Sequence, residues 1–469
     1  MPTIPNLSSP LWSISEISEA INGRILKWGP PGTITTDTRS LNLNPQNQWF
    51  LAIPGKQFNG HDFIRPDLGC IGVIGTRVCE NWNKGFVKFE NSDTLIALEK
   101  LGVYGRKRFG GIVVGITGSV GKTTTREMTA LIVEKCGGKV CQTKGNENNE
   151  IGVALTLIGI PGNADVVIVE MRMCRKGEIL KLVRMCRPEI RVILNVEPCH
   201  LENFGGLEDI ASAKGEMLSE MKPGDVCVLN GDDPLVMKMH VPHGVKKVLF
   251  GRRIGCDMRL VSAESTDRGR VVQVVLEWNF EMVEFVIPSP GLHLALNACA
   301  AAAVSVVLGV PLPQIALSLS KFTPVQMRSE LIIAKNGIQI INDVYNANPT
   351  STLSAIDSLK AIECRGKRVA ILGDMLELGS TEASFHETVL GLCCVQDIGL
   401  VGLVGKNFLA AANKIGLLDR MTKVVCALDV DSLAINIVEC LETDDVVLVK
   451  GSRGMKMERV VDAIKACRG

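Results

Sequence analysis

Through the middle of the chain, short apolar runs alternate with amphipathic stretches at a regular spacing. Gly111-Ile-Val-Val-Gly-Ile reads as a strand. A glycine loop follows, and then a stretch that puts Met128, Leu131, Ile132 and Cys136 on one helical face. Residues 165–170, 191–196 and Val226–Asn230 repeat the strand signal, each leading into a loop or a helix. That alternation predicts a parallel sheet wrapped by helices. Val271–Trp278 and Glu281–Ile287 predict a hairpin, and 295–308 and Leu312–Leu319 predict helices. A second series begins near Arg328. Two strands joined at Lys335-Asn336-Gly337 open it, and strand runs at 368–372, 399–404, 423–428 and 445–450 follow. Before residue 106 the segments are short and broken by Gly, Pro and Asn. The pattern predicts an α/β chain of three domains. They are a small α/β domain (1–106), a doubly wound, mostly parallel sheet (107–327) and a smaller Rossmann-like sheet (328–469).

Composition narrows the function. With 46% hydrophobic and 22% charged residues the chain is no long disordered polymer. Lys+Arg 51 against Asp+Glu 50 leaves a net charge of +1, which argues against broad nucleic-acid binding. The 16 cysteines contain no CxxC pair and often sit at apolar positions such as Cys227, Cys299 and Cys426. They read as reduced core thiols in a reducing compartment. The most apolar stretch, 298–310, falls short of the roughly 20 residues that cross a bilayer. The first residues (MPTIPNLSSPLW) lack the charged-then-apolar layout of a secretory signal, and a trimmed transit peptide stays open.

The sharpest local signal is Gly115-Ile-Thr-Gly118-Ser-Val-Gly121-Lys122-Thr123-Thr124, between a strand and a helix. Glycines there let backbone N–H groups turn inward around phosphate oxygens, and the helix N-terminus adds partial positive charge. Lys122 would reach the terminal phosphates and the Thr123 hydroxyl would hold Mg²⁺. The spacing departs from GxxxxGK(S/T), because Ile116 stands where that pattern needs glycine. Glu170 ends a strand at the edge where ligands of parallel sheets bind. His200 lies in the loop after the next strand, and Lys214 lies in a helical segment. Taken singly, each has an ordinary structural reading: a strand-end cap, a surface loop histidine, a solvated lysine.

In combination these residues resemble the Mur ligase family of ATP-dependent amide-forming enzymes. Thr117-Gly-Ser-Val-Gly-Lys-Thr is similar to its TGxxGKT loop, and Gly145-Asn-Glu-Asn-Asn149 with Ile151-Gly-Val to its GNxNNxxG element. His200-Leu-Glu-Asn-Phe-Gly, Ala213-Lys-Gly-Glu216 and Gly291-Leu-His-Leu-Ala-Leu-Asn297 resemble its histidine, lysine and asparagine segments. Within the family, Asp343-Val-Tyr-Asn-Ala-Asn-Pro349, Leu372-Gly-Asp-Met-Leu-Glu-Leu-Gly379 and Val449-Lys-Gly-Ser-Arg453 resemble the branch that adds D-alanyl-D-alanine. Thr36-Asp-Thr-Arg-Ser40 and Ile53 to Asp62 resemble its uridine-nucleotide region. Two departures stand out. Glu170 is followed by Met-Arg-Met-Cys where a glycine usually comes, and Val120 replaces a common asparagine.

The resemblance implies a ligase that phosphorylates the carboxylate of UDP-N-acetylmuramoyl-tripeptide with ATP and passes the acyl group to D-alanyl-D-alanine. Gly118, Ser119, Val120, Gly121, Lys122, Thr123 and Thr124 would cradle the phosphates. Thr123 and Glu170 would hold one Mg²⁺, and His200 with a carbamylated Lys214 a second. Asn297 would approach the adenine, Arg328 the γ-phosphate, and Asp343, Tyr345 and Asn346 the rest of the nucleotide. Asp37, Thr38, Arg39, Ser40, Phe58, Gly60 and His61 are candidates for the nucleotide-linked sugar. Asn146, Asn148 and Asn149 are candidates for substrate phosphate or sugar, and Lys450, Ser452 and Arg453 for an anionic peptide end. The expected form is a monomer without nucleic-acid partners or a membrane span, in a bacterial-type cytoplasm or alternatively a plastid stroma. Competing readings are a ligase adding a single amino acid, a folylpolyglutamate-type ligase and a catalytically silent scaffold.

Overall fold

The computed structural model describes residues 10–43, 47–55, 57–334, 337–421 and 423–466. The turn residues Lys335 and Asn336 and the first nine residues of the N-terminal segment lie outside the described residues. Three sheets form the chain. The first runs Arg24–Lys27, Gly85–Lys88, Gly72–Gly75, Gln48–Leu51, Thr33–Thr35, with only Arg24–Lys27 antiparallel to its neighbour. Helix Thr94–Arg108 leads out of it. Residue 106, the expected domain edge, therefore lies inside a helix. That helix buries Leu98 and Leu101 in the same core as Val153, Ala154 and Leu157 of helix Glu150–Ile158. Each such fully buried leucine stabilises by about 1.5–3 kcal/mol.

The nine-stranded middle sheet positions the site. From one edge it runs Glu281–Ile287, Val271–Trp278, Met258–Thr266, Lys246–Gly251, Val226–Asn230, Ile190–Ile193, Ile112–Thr117, Val166–Glu170, Val140–Gln142. The predicted hairpin is the antiparallel edge, and the other strands are parallel. Val166–Glu170 is buried at every position and Ile190–Ile193 likewise, as strands covered on both faces must be. Chain order reverses around Ile112–Thr117. The two strands that come next in sequence lie on one side of it, and Ile190–Ile193 lies on the other. Ligands of open α/β sheets bind at such a switch point, beyond the carboxyl ends of the strands. The loops after Thr117, Glu170 and Ile193 all open there.

The third sheet runs Glu330–Ile333, Gln339–Asp343, Val446–Lys450, Arg368–Gly373, Leu400–Val404, Val424–Ala427, with only the first strand antiparallel. Two expectations need correction. Cys426 is exposed, because its strand is the edge of this sheet, and Cys136 is exposed at the C-cap of helix Lys122–Lys135 rather than on its buried face. After Lys450 the chain does not enter an α-helix directly. A 3₁₀ turn, Arg453–Met455, comes first, and the helix starts at Glu458. Among the described residues no helix is long and apolar enough to cross a membrane.

Candidate active site

The phosphate loop is shaped before any ligand arrives. Strand Ile112–Thr117 delivers Gly118 to the switch point, and helix Lys122–Lys135 leaves from Gly121. Gly121 has φ +84°, and a Cβ on it would meet the Asn297 Oδ1 at 2.3 Å. Only glycine satisfies both constraints. Asn195 holds the loop from beneath: its Oδ1 accepts the N–H groups of Ser119 and Val120, each at 2.9 Å. Ser119 Oγ donates to the Glu197 carbonyl at 2.9 Å. Lys122 curls back over the loop, its Nζ donating to the carbonyls of Gly118 (2.8 Å) and Ser119 (3.2 Å). Burial pushes its ammonium below the usual lysine range, and Glu170 partly offsets this. Thr124 follows on the first turn of the helix, half-buried.

Glu170, 2% exposed, is the centre of a buried network. Its Oε2 accepts from the Thr123 hydroxyl at 2.8 Å and from Arg126 Nη1 at 3.3 Å. Its Oε1 accepts from Asn148 Nδ2 at 2.8 Å, and its N–H donates to the Thr143 hydroxyl at 3.0 Å. A hydroxyl and a carboxylate meeting at one point are hard oxygen donors, the kind Mg²⁺ takes alongside phosphates.

Beyond the next strand, His200 stands at φ +53°. Its Nδ1 lies 2.5 Å from Glu377 Oε2 and 4.0 Å from Cys174 Sγ. Burial lowers the His200 pKa, Glu377 opposing and Lys122 assisting. Cys174 and Arg172 come from the segment that departs from the usual glycine, and the Arg172 N–H donates to the Asn148 carbonyl at 2.9 Å. Lys214, 3% exposed on helix Leu207–Gly215, has an amine with no hydrogen bond or ion pair among the described residues. Burial lowers its amine to about 8, with Cys199 opposing and Lys122 assisting. Among the described residues no three His, Cys, Asp or Glu side chains converge as a ready-made cage. The donors instead suit an ion that shares its ligands with phosphate, and a buried amine that can be converted into an anionic ligand.

The third sheet supplies the opposite wall. Arg328 stacks its guanidinium 3.9 Å from the centre of the Tyr345 ring. Asp343 Oδ1 accepts the Ser329 N–H at 3.1 Å, and its Oδ2 accepts Lys450 Nζ at 2.5 Å. Lys450 also donates to the Asn346 carbonyl at 2.9 Å and is buried, so its charge is already paired within the chain. The Ser452 hydroxyl accepts the Leu376 N–H at 2.9 Å, and Arg453 pairs with Glu458 at 3.3 Å. Thr350 reaches across to Glu197, at 3.0 Å.

The remaining candidates have local partners. Asn149 caps helix Glu150–Ile158 through Gly152 N–H, and the Asn146 carbonyl accepts the Asn148 N–H. In the first sheet region Asp37 accepts from Arg39 at 2.8 Å, Thr38 starts a short helix, and the Ser40 hydroxyl donates to the Asp37 carbonyl. His61 is held by Asn59 and by the Thr76 N–H, while Phe58 is exposed beside Phe63. Gly60 has no room for a side chain against Ile53. A recess of about 530 Å³ lined by Arg106, Phe109, Arg187 and Arg191 lies near the opposite end of the middle sheet, where Ile190 and Val226 begin their strands. None of the phosphate-loop groups lines it. Three participants escape a reading of the sequence. Asn195 looks like any loop asparagine, and Arg126 like any helix arginine. Glu377 carried a signal, its place in the Leu372 to Gly379 motif, but no role.

A family model for the Mur ligase middle domain matches residues 116–305, and one for the Mur ligase glutamate ligase domain matches 327–453. The UDP-N-acetylmuramoyl-tripeptide–D-alanyl-D-alanine ligase of Bacillus subtilis is 33% identical over 96% of this chain and 97% of its own length. The chain belongs to the Mur ligase family. The ligase of the same name from Escherichia coli is 31% identical over 97% of this chain and 98% of its own. Among solved structures, MurF from Acinetobacter baumannii matches with TM-score 0.86 and 27% identity, covering 98% of this chain and 100% of that one. MurF ligase from Thermotoga maritima in complex with ADP matches at 0.79 and 27%, covering 92% and 97%. The three sheets of this chain follow one another in the order expected from its pattern.

Proposed function

We propose that this Mur ligase joins D-alanyl-D-alanine to UDP-N-acetylmuramoyl-tripeptide with ATP, through an acyl phosphate. The observation that carries the chemistry is the convergence of the pre-shaped loop Gly118–Gly121, Lys122 and the Thr123–Glu170 pair at the switch point of the middle sheet. The substrate choice rests on full-length similarity to ligases of that name.

A carboxylate is a poor acyl donor because oxide is a poor leaving group. The carboxylate oxygen bonds to the γ-phosphorus as the β–γ bridging P–O bond breaks and ADP leaves, which makes phosphate the leaving group of the next step. The dipeptide amine then attacks the carbonyl carbon, the C–O bond to phosphate breaks, and the amine proton goes to solvent. The protein contributes position and fixed charge. With the Ser119 and Val120 N–H groups held by Asn195, the N–H groups of Gly121, Lys122 and Thr123 at the helix N-terminus receive phosphate oxygens. Lys122 leaves the loop carbonyls for the γ-phosphate. Thr123 and Glu170 would hold one Mg²⁺, and His200 with a carbamylated Lys214 a second; when bound, these ions offset negative charge on the phosphates and the substrate carboxylate. The low amine pKa of Lys214 supports the carbamate, since only a neutral amine attacks CO₂. Asn297, beside Gly121, borders the nucleotide. Arg328 comes from the third sheet toward the γ-phosphate, and Asp343, Tyr345 and Asn346 form the far wall. Docked sheets exclude water from the acyl phosphate. The first sheet region carries the nucleotide-sugar end of the acceptor. One chain suffices for this reaction, and the free thiols among the described residues suit a reducing, cytoplasm-like compartment.

The test is amine selection. With ATP, Mg²⁺ and the UDP-muramoyl tripeptide, phosphate release should require D-alanyl-D-alanine. Turnover with free meso-diaminopimelate, L-lysine or L-glutamate, and none with the dipeptide, would refute the assignment.

A further inference from the structure

Two turns from different sheets meet at His200. One is the His200–Asn203 segment of the middle region, and the other is the loop from Asp374 to Thr381 that follows strand Arg368–Gly373. They abut backbone to backbone: a Cβ on Gly379 would lie 3.2 Å from the Cα of Glu202. At the meeting point His200 Nδ1 and Glu377 Oε2 are 2.5 Å apart. Both residues sit in the left-handed region, His200 at φ +53° and Glu377 at +66°. Each such non-glycine position is strained by about 1–2 kcal/mol. Two strained residues facing each other across a junction are not what an incidental surface pair needs.

The loop that carries Glu377 is rigid. Asp374 accepts the N–H groups of Asn407 (3.1 Å) and Phe408 (2.9 Å). The Met375 N–H donates to His386 Nε2 at 3.0 Å, the Leu376 N–H to Ser452 Oγ at 2.9 Å, and Met375 and Leu378 are buried. Glu377 is the half-exposed carboxylate held out from this frame, its side chain 52% accessible against 19% for His200. With Nδ1 as the donor, Nε2 carries the lone pair, and it has no hydrogen-bond partner among the described residues. A metal-binding histidine characteristically gives its other ring N–H to a carboxylate, which fixes tautomer and ring orientation and raises basicity.

We propose that Glu377 is a positioning residue that completes the candidate metal centre from across the junction: its carboxylate accepts a hydrogen bond from His200 Nδ1–H, which leaves the Nε2 lone pair as the ligand, so that the centre is fully formed only when the third sheet is docked. This rests on the reading of His200 as a metal ligand. It extends that reading by making domain docking a condition of metal affinity, not only of substrate enclosure. Glu377 acts through His200 and touches neither the ion nor the substrate.

The experiment titrates Mn²⁺ against the full-length protein with ATP, reading free Mn²⁺ by electron paramagnetic resonance. Parent, H200A, E377A, E377Q and the double variant H200A/E377A are compared. His200→Ala and Glu377→Ala should each weaken the weaker Mn²⁺ site by about 10–100-fold. In the His200→Ala background, Glu377→Ala should add nothing. Glu377→Gln, whose amide oxygen still accepts the Nδ1 proton, should keep most of the affinity. If His200→Ala weakens the site and Glu377→Ala does not, the proposal fails alone. It also fails if Glu377→Ala weakens binding equally in both backgrounds, as a direct ligand or a merely structural residue would. If His200→Ala itself changes nothing, the metal reading falls, and this proposal with it.

Discussion

Lys214 offers a quantitative test because its amine is buried without a hydrogen-bonding or ion-pair partner among the described residues and has its pKa brought down to about 8 from an ordinary 10.5. In the unfolded chain the amine keeps the ordinary value, so between the two values the unfolded state binds more protons than the native one. Stability therefore rises with pH across that window. Below pH 8 the full cost is present: 2.5 pKa units correspond to about 3 kcal/mol. Lys214→Met keeps the aliphatic length and removes the ammonium. The variant should gain about 3 kcal/mol at pH 7, and the gain should fade as pH rises from 8 to 10.5. The assay is urea unfolding of parent and variant at pH 7, 8.5 and 10 in bicarbonate-free buffer, following the transition that includes the middle sheet. A variant no more stable than the parent at pH 7, or a gain that persists undiminished at pH 10, would refute the reasoning. The same shift makes about 9% of the amine neutral at pH 7, roughly 300-fold more than an ordinary lysine offers. A site that destabilises its own fold to keep an amine nucleophilic is suited to forming a carbamate, and Lys214→Met should abolish ligation while it stabilises the protein.

Four further outcomes follow from the geometry. Gly121→Ala meets both a positive φ and the Asn297 Oδ1, so it should lower ATP affinity at least about tenfold by calorimetry. Gly137→Ala, at φ +88° with nothing within 4 Å, should cost only the backbone strain and leave ATP binding unchanged. Arg126→Ala removes the cation beside the buried Glu170 carboxylate and should destabilise by about 3–5 kcal/mol in urea unfolding. Tyr345→Leu removes the ring beneath Arg328, worth about 0.5–2 kcal/mol, and should raise the KM for ATP several-fold with little change in melting temperature.

The parallel strands were legible because their apolar runs are continuous. Val226–Asn230 and the hairpin Val271–Trp278 with Glu281–Ile287 coincide with their expected limits. The phosphate loop was legible because its glycines, lysine and threonine must lie together in sequence to act together in space. What depends on distant chain was not. Nothing local marks Asn195 as the support of Ser119 and Val120, 75 and more residues earlier. Lys450 looked available for an anionic ligand, but Asp343, 107 residues earlier, takes its charge. Asn148 looked like a substrate contact, and its amide is committed to Glu170. Cys426 has core-like neighbours in sequence, yet its strand ends the sheet and leaves it exposed. Glu377 gains its meaning only from the docking of the two turns.

The central claim is that the tripeptide carboxylate leaves its oxygen on phosphate. With the acceptor carboxylate labelled with ¹⁸O, and with ATP, Mg²⁺ and D-alanyl-D-alanine supplied, mass analysis of the released phosphate reads the route directly. One ¹⁸O is expected in each phosphate released during ligation. Ligation that yields unlabelled phosphate would contradict it.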